Sequence, residues 1–163
     1  MTGIRDFSIL APVPLVHLQS GADIASNTGF VAFGSRKWEL FRKVDELRSG
    51  ARIPVLIYPS HEDAPAKDSF IVSWVGWYVG CDESGNGKHS KGMAHRPPTT
   101  DQYTSDNKGH WAVFWHVCDL HELSASQRLP ISAIQTVKGG WRKSAPPRGP
   151  ELVATPSTLE LSL

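Results

Sequence analysis

Ser69-Phe70-Ile71-Val72-Ser73-Trp74-Val75-Gly76-Trp77-Tyr78-Val79-Gly80-Cys81 is the stretch on which the fold turns. It is β-branched and aromatic, and such side chains fit a pleated, packed surface. Side chains alternate along a strand. Phe70, Val72, Trp74, Gly76 and Tyr78 therefore share one face, and Ile71, Ser73, Val75, Trp77 and Val79 share the other. Both faces are largely apolar, so the stretch reads as a central strand covered on both sides. Gly76 and Gly80 remove side chains beside large rings, which predicts a bulge, a tight bend or a flat partner against the backbone.

Working outward from this strand, Ser35–Ser49 reads as a helix. Trp38, Phe41, Val44 and Leu47 recur every three residues, Leu40 widens the stripe, and charged residues fill the other side. Ser35 fits the N-cap and Gly50 the stop. Short strands are expected at Gly29–Gly34 and Ile53–Tyr58. Near the N-terminus, Ser8–Leu18 is apolar but broken by Pro12 and Pro14, which predicts an edge strand, and Gly21–Thr28 reads as a short turn or a helical turn. His61–Asp68 is a polar turn. Beyond the central strand, Asp82–His110 shows no period, and so long a loop is commonly functional. His110–Leu120 alternates as a second strand, with Trp111, Val113, Trp115 and Val117 on one face. Leu129–Val137 fits a short helical turn, and Gly139–Pro150 is a glycine-proline loop.

The order is strand, helix, strand, strand, loop, strand, loop. It predicts an α+β domain built on a small, partly closed barrel rather than an alternating α/β fold. With 163 residues, one domain is expected, spanning 1–153, with 154–163 as a flexible tail. Cys81 and Cys118 make no disulfide framework. No run is apolar enough to span a bilayer, and the N-terminus lacks the pattern of a signal peptide. A cytoplasmic protein without a membrane partner is expected. The net charge of +1 excludes a whole-molecule field that attracts nucleic acid, so any basic site must be local.

Chemistry-bearing residues are few. Six tryptophans are many for this length; ring faces stack on bases, although most strand aromatics are core. Trp141 stands apart, flanked by Gly139-Gly140 and Arg142-Lys143. With Arg148, these cations form a candidate grip on a phosphate backbone. The Gly34-Ser35 turn opens a helix, where free N–H groups favour an anionic or carbonyl ligand. His116, Cys118 and His121, or Cys81, His89 and His95, lack the paired spacing of zinc sites. No cofactor or metal is expected. No nucleophile elbow, phosphate loop or dinucleotide fingerprint occurs, and a non-enzymatic role is favoured. Lys37 and Glu62 are the residues that a hydrolase would draw on.

Three segments carry a resemblance. Phe30-Val31-Ala32-Phe33-Gly34-Ser35 before a helix is similar to the first strand of YTH domains. Gly50–Ser60, with its apolar run ending in Tyr58, resembles an EVE strand. His95–Tyr103 followed by Trp111–Leu120 resembles the EVE segment in which a proline-containing loop leads to a tryptophan strand, and Leu129-Pro130-Ile131-Ser132 is similar to the step that follows. The chain thus resembles the PUA-like superfamily, in its EVE and YTH group, over about residues 29–137. The resemblance implies a twisted, mostly antiparallel β-barrel flanked by helices, and a pocket for an unpaired modified base of DNA or RNA. Carried over by position, that pocket involves Gly34, Ser35, Arg36, Tyr58 and Ser60, with Trp74 and Trp77 as its aromatics. Some ASCH proteins, also PUA-like, are amidohydrolases on acylated nucleosides, which makes a small hydrolase the alternative. A protein-interaction domain is the third reading.

Overall fold

The computed structural model describes residues 7–60, 70–102, 111–141 and 149–157. Along them run β1 (Phe7–Val13), α1 (Leu15–Thr28), β2 (Val31–Ser35), α2 (Trp38–Arg48), β3 (Ile53–Pro59), β4 (Ile71–Val72), β5 (Trp74–Glu83), β6 (Val113–Glu122), β7 (Leu129–Pro130) and β8 (Glu151–Ala154). Six strands form one mixed sheet in the order β2-β6-β5-β3-β1-β8, and β4 pairs with β7. β1 and β3 run parallel; every other pairing is antiparallel. The class is α+β, as the order of the elements suggests. No helix of the described residues is long and apolar enough to cross a membrane.

The N-terminal segment departs from expectation. β1 is an interior strand between β3 and β8, not an edge. β8 pairs only as far as Leu10, so Pro12 sits where one flank of β1 has no strand partner, and proline is tolerated there. Pro14 then occupies the cap position of a full helix, α1, where the end of a strand and then a short or helical turn were expected. A proline just before a helix supplies a fixed φ and lacks only an N–H that the helix would not use. His17, Leu18, Gly21 and Ala25 form its buried stripe.

The helix α2 begins at Trp38, three residues later than expected. Ser35 ends β2, and its Oγ accepts the Lys37 N–H at 3.1 Å, so it pins the turn rather than capping the helix. Phe41 and Val44 are buried against the sheet. Trp38 is 37% exposed, with the Arg42 guanidinium 4.7 Å from its ring centroid. One carboxylate ties α2 to β5. Asp45 accepts the Tyr78 hydroxyl (2.9 Å), Arg48 Nε (2.7 Å) and the Cys81 thiol (3.3 Å). Burial pushes the Cys81 thiol up to about 11, so at neutral pH it stays protonated and unreactive. Both cysteines are free.

Ser73 divides the long apolar stretch into β4 and β5. The pairing of β5 with β6 shifts register between Val75 and Trp77, with the extra residue on β6, and again between Tyr78 and Gly80, with the extra residue on β5. Of the three readings offered for Gly76 and Gly80, the irregular ladder is the one found beside them. A Cβ at residue 76 would lie 2.5 Å from Val117 Cγ1, so only glycine lets β6 pack this close. Two cores result. Trp74, Tyr78, Trp115 and Val117 join Phe41 and Leu18 beneath the helices. Val75, Tyr58 and Leu10 join Leu123, Ile131 and Ile134 on the other face. Leu120 belongs to the first core although simple alternation assigns it elsewhere; the φ of 52° at Asp119 turns the strand there. Leu129–Val137, expected as a helical turn, holds β7 and a 3-10 turn at Ile131–Ala133. At the expected tail, Ala154 closes β8 and Thr155 Oγ1 lies 2.7 Å from Ser8 Oγ; residues 158–163 lie outside the described residues.

Candidate functional site

A cavity of about 540 Å³ opens where the ends of β1 and β2 approach one another, within the range of small-ligand sites. Pro12, Val13 and Pro14 form one wall, and Phe33, Gly34 and Ser35 form another. Arg36 and Lys37, in the turn into α2, stand at its rim with Ser60, just past β3, and with Gly149 and Pro150, just before β8. His17, Arg96, Thr100, Trp111 and Trp115 complete it. Lys37 Nζ donates to Pro150 O at 3.1 Å. That bond links a residue just past β2 to one just before β8, the two ends of the sheet order.

Trp111 is the aromatic wall. Ala112 N donates to Ser35 O at 3.1 Å, which brings the start of β6 across the end of β2. The indole lies so close on Gly34 that a Cβ there would be 2.5 Å from its Cδ1 and Cγ. No other residue type leaves the ring that position, because real Cβ atoms do not approach so near. Trp115 is buried in the floor, packed against Phe41 and Phe33. Its Nε1 has no hydrogen-bond partner among the described residues.

Polar groups are fixed from α1 and from the segment before β6. Thr100 Oγ1 donates to Pro97 O at 2.7 Å. His17 Nδ1 lies 2.8 Å from Thr99 Oγ1, which ties α1 to the short 3-10 turn that carries Thr100. Arg96 is 1% exposed; its Nη1 donates to Ala32 O at 2.8 Å, and its Cζ is 5.1 Å from the Phe114 centroid. The described lining contains His17, Arg36, Lys37 and Arg96 but no Asp, Glu or Cys. A recess walled by one sign of charge concentrates the opposite sign. The arrangement suits a flat, electron-rich or anionic ligand.

Of the residues singled out from the sequence, Gly34, Ser35, Arg36 and Ser60 come together here. Tyr58, Trp74 and Trp77 are not in the lining. Tyr58 is buried in the second core and Trp74 in the first. Trp77 is half-buried, under the Arg52 guanidinium at 4.6 Å. Their alternation along strands gave two faces, and both are packed. Trp141 is 64% exposed and also outside the lining. Arg142, Lys143, Arg148 and Glu62 lie outside the described residues. Lys37, named for a hydrolase, lines the cavity. Sequence reasoning missed Trp111, Arg96 and Thr100 as lining; for Trp111 the available signal was a strand-end glycine with an unplaced tryptophan. Among the described residues no group of three His, Cys, Asp or Glu is placed to hold a metal ion. Comparison with protein-family models, with curated proteins and with solved structures returns no match.

Proposed function

We propose that this chain is a nucleic-acid-binding module that takes a modified, unpaired base into the cavity beneath Trp111. The carrying observation is the pairing of a flat indole, seated on Gly34, with Arg36 and Lys37 at the rim and no described carboxylate in the lining. A base would stack on the indole, which is worth about 1–3 kcal/mol. Ser35, Ser60 and Thr100 would read its edge, and the rim cations would meet the flanking phosphates. The near-neutral net charge of +1 fits a local grip better than extensive groove binding.

The same reading extends to the architecture: a PUA-like barrel, mostly antiparallel. Two contacts support it. β1 and β2 both line the cavity although three strands separate them in the sheet order. The Lys37–Pro150 bond joins the flanks of β2 and β8. Both call for a strongly curled sheet.

The experiment is a tryptophan-fluorescence titration with short oligonucleotides bearing methylated, hydroxymethylated or acetylated bases, and with the free nucleosides. Quenching by one modified oligonucleotide, weakened by salt, is the expected result. Quenching by a free nucleoside alone moves the weight to the hydrolase alternative. No response to any of them removes both and leaves a protein-interaction domain.

A further inference from the structure

Three histidines outside the cavity lining pack behind a segment that forms part of its wall. His89 is 6% exposed, and its Nε2 lies 3.0 Å from His116 Nε2 on β6. Phe30 stacks on both His95 (4.0 Å between centroids) and His116 (4.3 Å). His95 O accepts the Ala32 N–H at 2.7 Å, and Thr28 Oγ1 lies 3.0 Å from His95 Nδ1. The segment these contacts hold runs directly into Arg96 and Thr100, both in the cavity wall.

The hydrogen bonds fix where the protons are. His89 Nδ1 accepts the Lys91 N–H at 3.1 Å. A neutral His89 then carries its proton on Nε2, and His116 Nε2 must be the acceptor. The 3.0 Å gap holds one proton. A second proton on His116 would set two N–H groups against each other there. A second proton on His89 would face the Lys91 N–H. Only the neutral pair fits.

A metal is the rival explanation, since Asp82 Oδ2 is 3.8 Å from His89 Nε2. A ligating histidine normally donates through its other ring nitrogen, but His89 Nδ1 is an acceptor. Asp82 Oδ2 also already accepts the Ser90 N–H at 2.8 Å. The pair is therefore better read as a proton device.

We infer that the His89–His116 pair, with Phe30 stacked on His116 and His95, forms a proton-operated clasp that holds residues 89–100 against β2 and β6 and opens the cavity wall on acidification. The groups around it are Asp82 on β5, Asp45 on α2, and Lys91 and Arg96 on the clasped segment itself. Burial pushes His116 down to about 4, and burial lowers His89 as well. For Asp82, burial works upward, but the hydrogen bonds from Ser90 outweigh it and hold the carboxyl below its usual value. The closed state therefore resists protonation. As pH falls below the ordinary histidine value, the open state gains protons that the closed one refuses. Opening then becomes about tenfold easier per pH unit for each histidine involved, levelling off near the closed-state value.

The effect on ligand rests on the function proposed above; the clasp itself does not. The test is amide hydrogen exchange on the free protein from pH 7 to 4.5, corrected for the intrinsic rate. Protection at Lys91 and Ala32 should lie well below that at Leu56 and Tyr78 at every pH, and below pH 6 should fall about tenfold per pH unit for each of the two histidines that the opening frees. His116→Gln and His89→Gln should each flatten that slope. Equal protection at all four amides across the pH range, which marks global unfolding alone, or a flat response at Lys91 and Ala32, overturns the clasp. So does uptake of one equivalent of zinc that His116→Gln abolishes. If the slope is found but no oligonucleotide binds at any pH, the clasp stands and the base-reading function falls.

Discussion

Gly76 on β5 and Gly34 on β2 have the same steric signature. A Cβ at either would lie 2.5 Å from a neighbouring side chain, Val117 in one case and Trp111 in the other. Their surroundings differ. Gly76 faces the middle of β6, where the Cβ would also meet Cys118 O at 3.0 Å, and the space is sealed by two cores. Gly34 faces the first turn before β6, beside Ser35 and two cations, where the sheet opens. A glycine under a flat neighbour thus records close packing and nothing more. It marks a site only where one side of the neighbour is left for a ligand. The tryptophans divide the same way: Trp74 fills a core, while Trp111 forms a wall.

The sharpest way to break this contrast is Trp74→Ala. It should cost about 3–5 kcal/mol of stability, as for other buried tryptophans, and lower Tm by roughly 10 °C or more. Oligonucleotide affinity, measured well below that Tm, should not change. Gly76→Ala should cost about 1–3 kcal/mol by overpacking, again without touching affinity. Gly34→Ala should do the reverse in a thermal melt and binding assay run together, displacing the indole and lowering affinity more than stability.

Protons sharpen the contrast further. His116 has a folded-state value of about 4, below its unfolded value. The unfolded chain therefore binds the extra proton first. Stability should be complete above about pH 6.5, fall as pH drops toward 4, and level off below. The loss should be on the order of 2 kcal/mol in urea melts at pH 7 and pH 4, and reduced in His116→Gln to the share that His89 leaves. The smallest effect expected is at the rim. Arg36→Gln should lower the salt slope of binding by about 0.7–0.9.

The legible parts of the fold were those with an unbroken period. β5 and its two bulges, β3, β6 and the body of α2 follow from alternation, from a three-residue stripe and from Gly76 and Gly80. α1 was hidden because Pro12 and Pro14 precede it and Gly21 interrupts it, yet each has a place: beyond the reach of β8, at the helix cap, and where an added Cβ would lie 3.3 Å from Val31 Cγ2. Gly34, Ser35, Arg36 and Ser60 were grouped by the family resemblance, with the helix-opening turn as the independent signal for the first three, and they do line one cavity. Trp111, Arg96 and Thr100 were not. Alternation says which face a side chain takes, not which end of a curled sheet stays open, and the cavity gathers positions from Pro12 to Pro150. Tyr58, Trp74 and Trp77 were carried over by the resemblance; Tyr58 and Trp74 fill cores, and Trp77 lies half-buried under Arg52.

The most direct measurement compares Trp111→Ala with Trp77→Ala for one modified oligonucleotide bound by the wild type, at fixed salt. Trp111→Ala should weaken binding by about 1–3 kcal/mol, roughly 5- to 150-fold, with its melt little changed. Trp77→Ala should leave affinity within twofold. Equal affinity for Trp111→Ala and the wild type, or a loss confined to Trp77→Ala, would contradict a base seated beneath Trp111.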